Sequence, residues 1–201
     1  MIKRGSKKQF NDFVRTVKQD PYRYFYIKNS LAKMKQQNID INTQTSGGKT
    51  LLHIALKLNN IKLFNLFIRS GVNVNIANEN GETPLHRAVI EKKMDFIKSL
   101  INNGCDIDIG AEQEQTPLHL AVITGNLDIV KYLVDRGADI LMQDEINNYP
   151  IDYAIDEGDV NMIKYFLTKQ EVDDSRIEKI NKIFNKAGEV NVKVRTNIRD
   201  D

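Results

Sequence analysis

The sequence contains one cysteine, Cys105, among its 201 residues. An internal disulfide is therefore impossible, and this scarcity fits a reducing compartment. No apolar run approaches the roughly 20 residues that cross a bilayer. Residues 1–8 are basic, but no apolar segment comes after them, so we expect no secretory signal peptide. These absences favour an intracellular, cytoplasmic protein.

Proline is also scarce, with four residues, yet three of the four are spaced by 33. Each of these three is the second residue of one hexapeptide, which recurs as Thr83-Pro84-Leu85-His86-Arg87-Ala88 and Thr116-Pro117-Leu118-His119-Leu120-Ala121. The same register reads Thr50-Leu51-Leu52-His53-Ile54-Ala55 one period earlier and Tyr149-Pro150-Ile151-Asp152-Tyr153-Ala154 one period later. A fixed period of this length predicts a repeat architecture.

The period and the Thr-Pro-Leu-His-x-Ala motif resemble the ankyrin-repeat family. The resemblance implies an all-α solenoid of stacked antiparallel helix pairs with projecting β-turn or hairpin fingers. We place four repeats at 48–80, 81–113, 114–146 and 147–179. The last of these is degenerate after residue 175, where we assign a C-terminal capping helix to 176–187.

Both ends of the chain depart from the motif. We interpret residues 1–8 as a mobile basic arm and 9–47 as a degenerate N-terminal repeat, because an end repeat meets solvent on one face. Its first helix is predicted at 9–18. Its second is predicted to start at Asp20-Pro21 and to bury the apolar residues Tyr22, Phe25, Tyr26 and Met34. Residues 188–201 are left as a tail.

The three histidines of the motif suggest a metal site, but their spacing argues against one. Equivalent positions in adjacent repeats are about 10 Å apart for packed helices, whereas zinc sits about 2 Å from its nitrogen ligands. The resemblance implies instead that each histidine bonds the threonine of its own motif and nearby loop amides. The glycines close helices with a left-handed residue. The residues assigned this structural role are Thr50, His53, Thr83, His86, Thr116, His119, Gly71, Gly104 and Gly137.

Two further patterns suggest chemistry that the residues do not support. The segment 46–50 ends like a phosphate-binding loop, but Thr43 stands where that loop requires glycine. Cys105 comes directly after a repeat glycine and has no activating base nearby in the sequence. We therefore predict a non-enzymatic protein with no cofactor, no metal and no catalytic residue.

In the ankyrin family, the turns between repeats and the inner face of the first helices hold protein partners. Here these turns are the first finger (43–49), the second (76–82), the third (109–115) and the fourth (142–148). Asn78 and Asp144 are predicted to brace their turns, whereas Ala111 and Glu114 predict a differently shaped third finger. The tips carry mainly carboxylates, and these side chains have no evident role in packing. The predicted partner-binding residues are Glu79, Asn80, Glu82, Arg87, Ile90, Glu91, Glu112, Gln113, Gln115, Ile123, Thr124, Glu145, Ile146 and Asn148.

Charge is distributed unevenly along the chain. Residues 1–35 carry a net +8, 36–175 a net −9 and 176–201 a net +3. The main hypothesis is therefore a monomeric adaptor whose acidic concave face binds a basic patch on a partner protein. The alternative is contact with nucleic acid or an anionic membrane through the basic N-terminal residues Lys3, Arg4, Lys7, Lys8, Arg15, Lys18, Arg23 and Lys28. The Ile-, Asn- and Lys-rich composition also suggests an AT-rich genome, and with it an effector of an intracellular microbe acting on host proteins.

Overall fold

The computed structural model describes the backbone of residues 4–188 and the side chains from residue 7 onward. Within this range the chain forms α-helices and one 3-10 turn, and no strand. The predictions made for residues 1–3 and 189–201 lie outside the described residues. The helices are α1 (Arg4–Gln19), α2 (Tyr24–Gln36), α3 (Leu51–Lys57), α4 (Ile61–Arg69), α5 (Pro84–Ile90), α6 (Met94–Asn102), α7 (Pro117–Ile123), α8 (Leu127–Asp135), α9 (Pro150–Glu157), α10 (Val160–Leu167) and α11 (Asp174–Ala187).

The chain divides into two compact units, and the division falls after Pro117 at the start of α7. In the first unit, α3 packs on α4 and on α5, and α4 packs on α6. The small side chains of Ala55 and Ala88 are fully buried, which allows the first helices to approach closely. The rings of Phe64 and Phe96 meet edge to face at 5.0 Å between the second helices.

In the second unit, α9, α10 and α11 pack against one another. α10 buries Ile163 and Phe166, and α11 buries Ile177, Ile180 and Phe184. The predicted C-terminal helix is therefore present, although it begins at Asp174 rather than at 176. Asp173 caps it, because its carboxylate accepts the N–H of Arg176.

The N-terminal repeat differs from the prediction at both of its helices. α1 begins at Arg4, so residues 4–8 belong to a helix and not to a separate arm. Its buried residues Phe10, Phe13, Val14 and Val17 follow the predicted spacing. The lack of any Gly or Pro between Ser6 and the apolar stripe lets the helix extend backwards through the basic segment.

The prediction for the second helix was wrong in its start and in its buried face. α2 begins at Tyr24 rather than at Pro21, and Asp20 accepts the N–H of Tyr22 in a turn that precedes the helix. Tyr22, Phe25 and Tyr26 are 71%, 80% and 48% exposed. The face that packs inward is spaced i, i+4, i+7 and carries Ile27, Leu31 and Met34; of the residues predicted to be buried, Met34 alone is.

Candidate protein-binding surface

Each finger is a closed turn. In the second and fourth fingers, a polar side chain near the start of the turn also accepts hydrogen bonds from its backbone. In the second finger the side-chain carbonyl oxygen of Asn78 accepts the N–H of Asn80 at 2.9 Å and of Glu82 at 3.0 Å. In the fourth finger Asp144 accepts from Ile146 at 3.0 Å and Asn148 at 2.9 Å. Burial alone would raise the pKa of Asp144, but these bonds and one from Tyr153 lower it overall. The predicted bracing role is confirmed at both positions.

The third finger is built differently, because Ala111 offers no side-chain acceptor. Residues Glu112–Glu114 form a 3-10 turn there. Gln113 and Glu114 both adopt left-handed backbone conformations, at φ of 60° and 59°. Gly81 occupies the position of Glu114 one repeat earlier and has φ of 72°. The left-handed turn is therefore retained in the third finger although a side chain with a Cβ occupies it.

Each motif histidine joins a helix start to the next finger. The N–H of Thr83 donates to Nδ1 of His86 at 3.1 Å, so the ring proton must lie on Nε2. Nε2 then donates to the carbonyl oxygen of Gln115 at 3.2 Å. His53 and His119 make the same contact, with the carbonyls of Glu82 at 3.0 Å and Asn148 at 3.1 Å. The expected bonds to loop amides are thus bonds to loop carbonyls.

This arrangement requires neutral histidines. Burial lowers the pKa of His86 to about 4, although the Gln115 carbonyl acts in the opposite direction. Burial likewise lowers the pKa of His53 and His119. The His53 and His86 rings bond within the fold through both nitrogens, and the His119 ring does so through Nε2, so the histidines position the fingers. Among the described residues no group of three His, Cys, Asp or Glu is arranged to hold a metal ion.

The first three fingers lie in close contact. A Cβ on Gly48 would sit 2.5 Å from the backbone nitrogen of Glu79, and one on Gly81 would sit 3.3 Å from the carbonyl carbon of Ala111. The side chain of Gln44 donates to the carbonyl of Ala77 at 2.7 Å. These contacts join the first finger to the second and the second to the third, so the first unit presents a braced row of turns.

Two of the predicted tip carboxylates do have structural duties. The Glu79 carboxylate accepts the N–H of Gly47 at 3.0 Å, which ties the second finger to the first. Glu82 accepts from the Asn78 amide at 2.7 Å and pairs with Arg87 at 3.3 Å. The prediction that these side chains lack a packing duty was therefore wrong. Linear sequence does not show which neighbour a carboxylate meets across 32 residues.

Arg87 continues this network along α5. It donates to Glu91 at 2.9 Å, and Glu91 also pairs with Lys93 at 2.7 Å. Lys93 in turn donates to the carbonyl of Leu56 on α3 at 2.7 Å. Burial alone would raise the pKa of Glu91, but the bonds from Lys93 and Arg87 lower it overall. Charge on this part of the inner face is largely compensated within the fold.

The predicted partner-binding residues fall into two groups by exposure. The exposed members are Glu79, Asn80, Glu112, Gln113, Ile123, Glu145 and Ile146. The half-buried members are Glu82, Arg87, Ile90, Glu91, Gln115, Thr124 and Asn148. In both groups, the residues from Glu79 to Gln115 lie in the first unit, and those from Ile123 to Asn148 lie in the second. Ile146 at the tip of the fourth finger is 69% exposed, which fits the apolar contact predicted there.

Sequence reasoning missed a cationic groove in the first unit, defined here by Lys7, Arg15, Lys18, Lys49 and Lys57. The first three line one face of α1 beside the first finger, and the other two lie on that finger and at the end of α3. The signal was the spacing 7, 11, 15, 18, which places these side chains on one helix face. The predicted helix started too late for that face to be recognised.

Cys105 is half-buried, and burial raises the pKa of its thiol to about 12. A thiol of this kind is a poor nucleophile at neutral pH, because the thiolate is the reactive form. In the segment 46–50, Gly48 packs on the second finger and Thr50 caps α3 in a bond to His53. Gly48 and Thr50 therefore have structural roles in the fold.

A family model described as "Ankyrin repeats (3 copies)" matches residues 26–111 and 92–177. These matches cover more than half of the chain, and the chain belongs to the ankyrin-repeat family. The predicted all-α class and repeat architecture are confirmed. Ankyrin repeats are generally modules for protein–protein interaction and are typically not enzymes.

A search of curated proteins found no match to this chain. Within residues 4–188, every helix is too short or too polar to cross a lipid bilayer.

Proposed function

We propose that this chain is a non-enzymatic adaptor that holds a partner protein on the tips of its fingers. One observation supports the proposal most directly: the first three fingers are closed turns packed on one another, and histidines tie the second and third of them to helices. A surface fixed in advance loses little conformational entropy on binding, which favours affinity for a protein partner.

The residues that carry the contact are those whose side chains point outward and have no bracing duty in the row. In the first unit these are Asn80 and Glu112 at the tips of the second and third fingers, both exposed. Glu79 and Glu82 are less suitable probes, because replacing either also removes a bond that braces the row. In the second unit Ile146 supplies exposed apolar area beside Glu145, the mixture found at interfaces.

The test replaces both first-unit tips, Asn80→Arg and Glu112→Arg. Tagged full-length chain is incubated with a lysate, and the retained proteins are identified by mass spectrometry at physiological salt and then purified for calorimetry. We expect a partner bound by the parent chain to lose most of its affinity for this finger-tip variant, because the variant places cations where the partner meets carboxylate and amide groups.

The control is Asn29→Arg with Asp95→Arg, which makes the same charge change at exposed positions on α2 and α6. The control should bind the purified partner like the parent chain. Equal affinity of all three chains for that partner would overturn the assignment of the finger tips, and so would the absence of any protein retained by the parent chain.

A further inference from the structure

The cationic groove consists of two adjoining clefts of about 500 and 410 Å³. The clefts share Lys18, Thr45 and Ser46, so they form one continuous surface along α1 and the first finger. All five cations of the groove are exposed. Among the described residues, no aspartate or glutamate lines either cleft. The groove therefore concentrates positive charge in a concave site, where the field is stronger than on a convex surface.

The floor of the groove is apolar. Val14 and Ile54 are each 4% exposed, and Leu58 is half-buried beside them. From Lys7 to Lys18 the helix rises about 16 Å, which is the length of roughly five residues of extended chain. A rim of long basic side chains over an apolar floor suits a short polypeptide segment with acidic residues on one side.

The cations of the groove also differ from other basic residues of the first unit in their pairing. Arg87 and Lys93 meet carboxylates within the fold, at 3.3 Å or less. In the part of the chain that the structure describes, none of the five groove cations forms an ion pair. Within residues 7–188 no carboxylate pairs directly with them, so their charge is available to a ligand.

The neighbouring cleft, of about 260 Å³, carries charges of both signs. It shares Lys49, His53 and Lys57 with the groove and is also lined by Arg87, Glu82 and Glu91. The inner surface of the first unit thus passes from cations without ion pairs among the described residues, at the first finger, to carboxylates paired with Arg87 beside the second. The acidic character predicted for the concave face therefore does not extend to the first finger.

We infer that the cationic groove binds an acidic segment, about five residues long, of the partner protein. This inference rests on the proposed function and specifies the partner's chemistry at one part of the surface. A long polyanion suits the site less well, because the groove cations on α1 span only about 16 Å. Within residues 4–188, no Phe, Tyr or Trp lines the groove, and the His53 ring is only 5% exposed, so the groove offers little aromatic surface for stacking a nucleic acid base.

The test uses a fluorescein-labelled hexaglutamate peptide and a labelled twelve-nucleotide oligothymidylate as probes. Fluorescence polarisation of the full chain is measured with each probe at 50 and 150 mM salt. We expect the peptide to bind and its affinity to fall about tenfold in the groove variant, Lys18→Ser with Lys49→Ser and Lys57→Ser, since three exposed charge contacts are removed. Thermal unfolding of the variant shows that the fold is retained.

The matched control is Lys28→Ser with Lys35→Ser and Lys62→Ser, which removes the same charge from exposed positions outside the groove. It should bind the peptide like the parent chain. The inference is overturned if the control loses as much affinity as the groove variant, if the oligonucleotide binds more tightly than the peptide, or if the peptide does not bind at 50 mM salt.

The experiments can contradict the finger-tip proposal without contradicting the groove proposal, and the reverse. The finger-tip variant, Asn80→Arg with Glu112→Arg, leaves every groove residue in place and should keep its affinity for hexaglutamate. Loss of partner binding by that variant supports the finger surface even if the peptide does not bind. Conversely, peptide binding that depends on the groove stands even if the finger-tip variant binds partners normally.

Discussion

The second and fourth repeats cap their first helix and attach the next structural element at the same motif position, but they use different residues to do so. In the second repeat Thr83 donates to His86, and the far side of the ring donates to the third finger. In the fourth, Tyr149 and Asp152 occupy those positions. The Asp152 carboxylate accepts the N–H of Tyr149 at 2.9 Å, so the helix start is capped in the same way.

The two repeats differ in the element that the motif residue attaches. The fourth repeat is joined to α11, and Arg176 of that helix forms a two-bonded pair with Asp152 at 2.6 and 2.7 Å. The guanidinium also lies 4.9 Å from the centre of the Tyr149 ring. The Asp152 carboxylate accepts hydrogen bonds, whereas the neutral His86 ring donates one. The partner of the motif residue is therefore a cationic side chain in the fourth repeat and a backbone carbonyl in the second. The comparison shows that the motif position serves to attach the next element, and that its residue type depends on what that element offers.

The largest effect should come from acidification. The pKa of His86 is about 4 in the folded chain and about 6.5 when unfolded. The unfolded state therefore binds more protons below pH 6.5, and stability is full above that pH and falls as the pH drops. We expect a loss of about 2 kcal/mol from His86 by pH 5, before most carboxylates titrate. Urea unfolding followed by circular dichroism at pH 7, 6 and 5 measures it.

The control for acidification is His86→Gln, which cannot titrate. This variant should be less stable at pH 7, because it disturbs the bonds to Thr83 and Gln115, but its stability should change less between pH 7 and 5. A parent chain that is as stable at pH 5 as at pH 7 would show that the histidine links do not depend on the neutral ring.

Removal of the arginine link should have a smaller effect. Arg176→Ala deletes the paired bonds to Asp152 and the ring contact, and we expect a loss of about 1–2 kcal/mol in the free energy of unfolding. The pair is only partly exposed, at 23% and 13% of the two side chains, so solvent screens it incompletely. Hydrogen exchange of α11 amides should accelerate in parallel.

Lys182→Ala on the same helix is the matched control. Lys182 pairs with Glu178 at 2.7 Å, but both side chains are more than 70% exposed. Exposed pairs contribute little, so the control should unfold at nearly the same urea concentration as the parent chain. If the two variants behave alike, the Asp152–Arg176 pair does not attach α11.

The smallest effect concerns the third finger. Glu114→Gly removes a side chain from a left-handed position and should stabilise the chain by about 0.5–1 kcal/mol. The midpoint of thermal unfolding measures it. The reciprocal change, Gly81→Glu, introduces both the left-handed strain and a Cβ about 3.3 Å from Ala111, and it should destabilise. A gain in stability from the reciprocal change would contradict this account.

Residues that act through local geometry were predicted correctly. Asn78 and Asp144 brace turns whose donors lie within four residues, and Gly71, Gly104 and Gly137 adopt φ of 82°, 73° and 94° at helix ends. Contacts across the chain were not predicted. The bond from Gly47 to Glu79 and the pair of Arg176 with Asp152 join residues 32 and 24 positions apart, and no local rule selects one partner among many. Tyr22 and Phe25 were misplaced for a related reason, since α2 carries apolar residues on two faces and the sequence does not show which face packs against α4.

The 33-residue period by itself determined the family, the order of the helices and the positions of the fingers, because each repeat is one supersecondary unit set by its own caps and apolar spacing. Tertiary structure alone decided which charges remain uncompensated. Carboxylates of the second finger and Glu91 after α5 find partners inside the fold, while Lys7, Arg15 and Lys18 reach one groove with Lys49 and Lys57. Charge pairing depends on distances of a few ångströms between segments, and a linear sequence does not contain them.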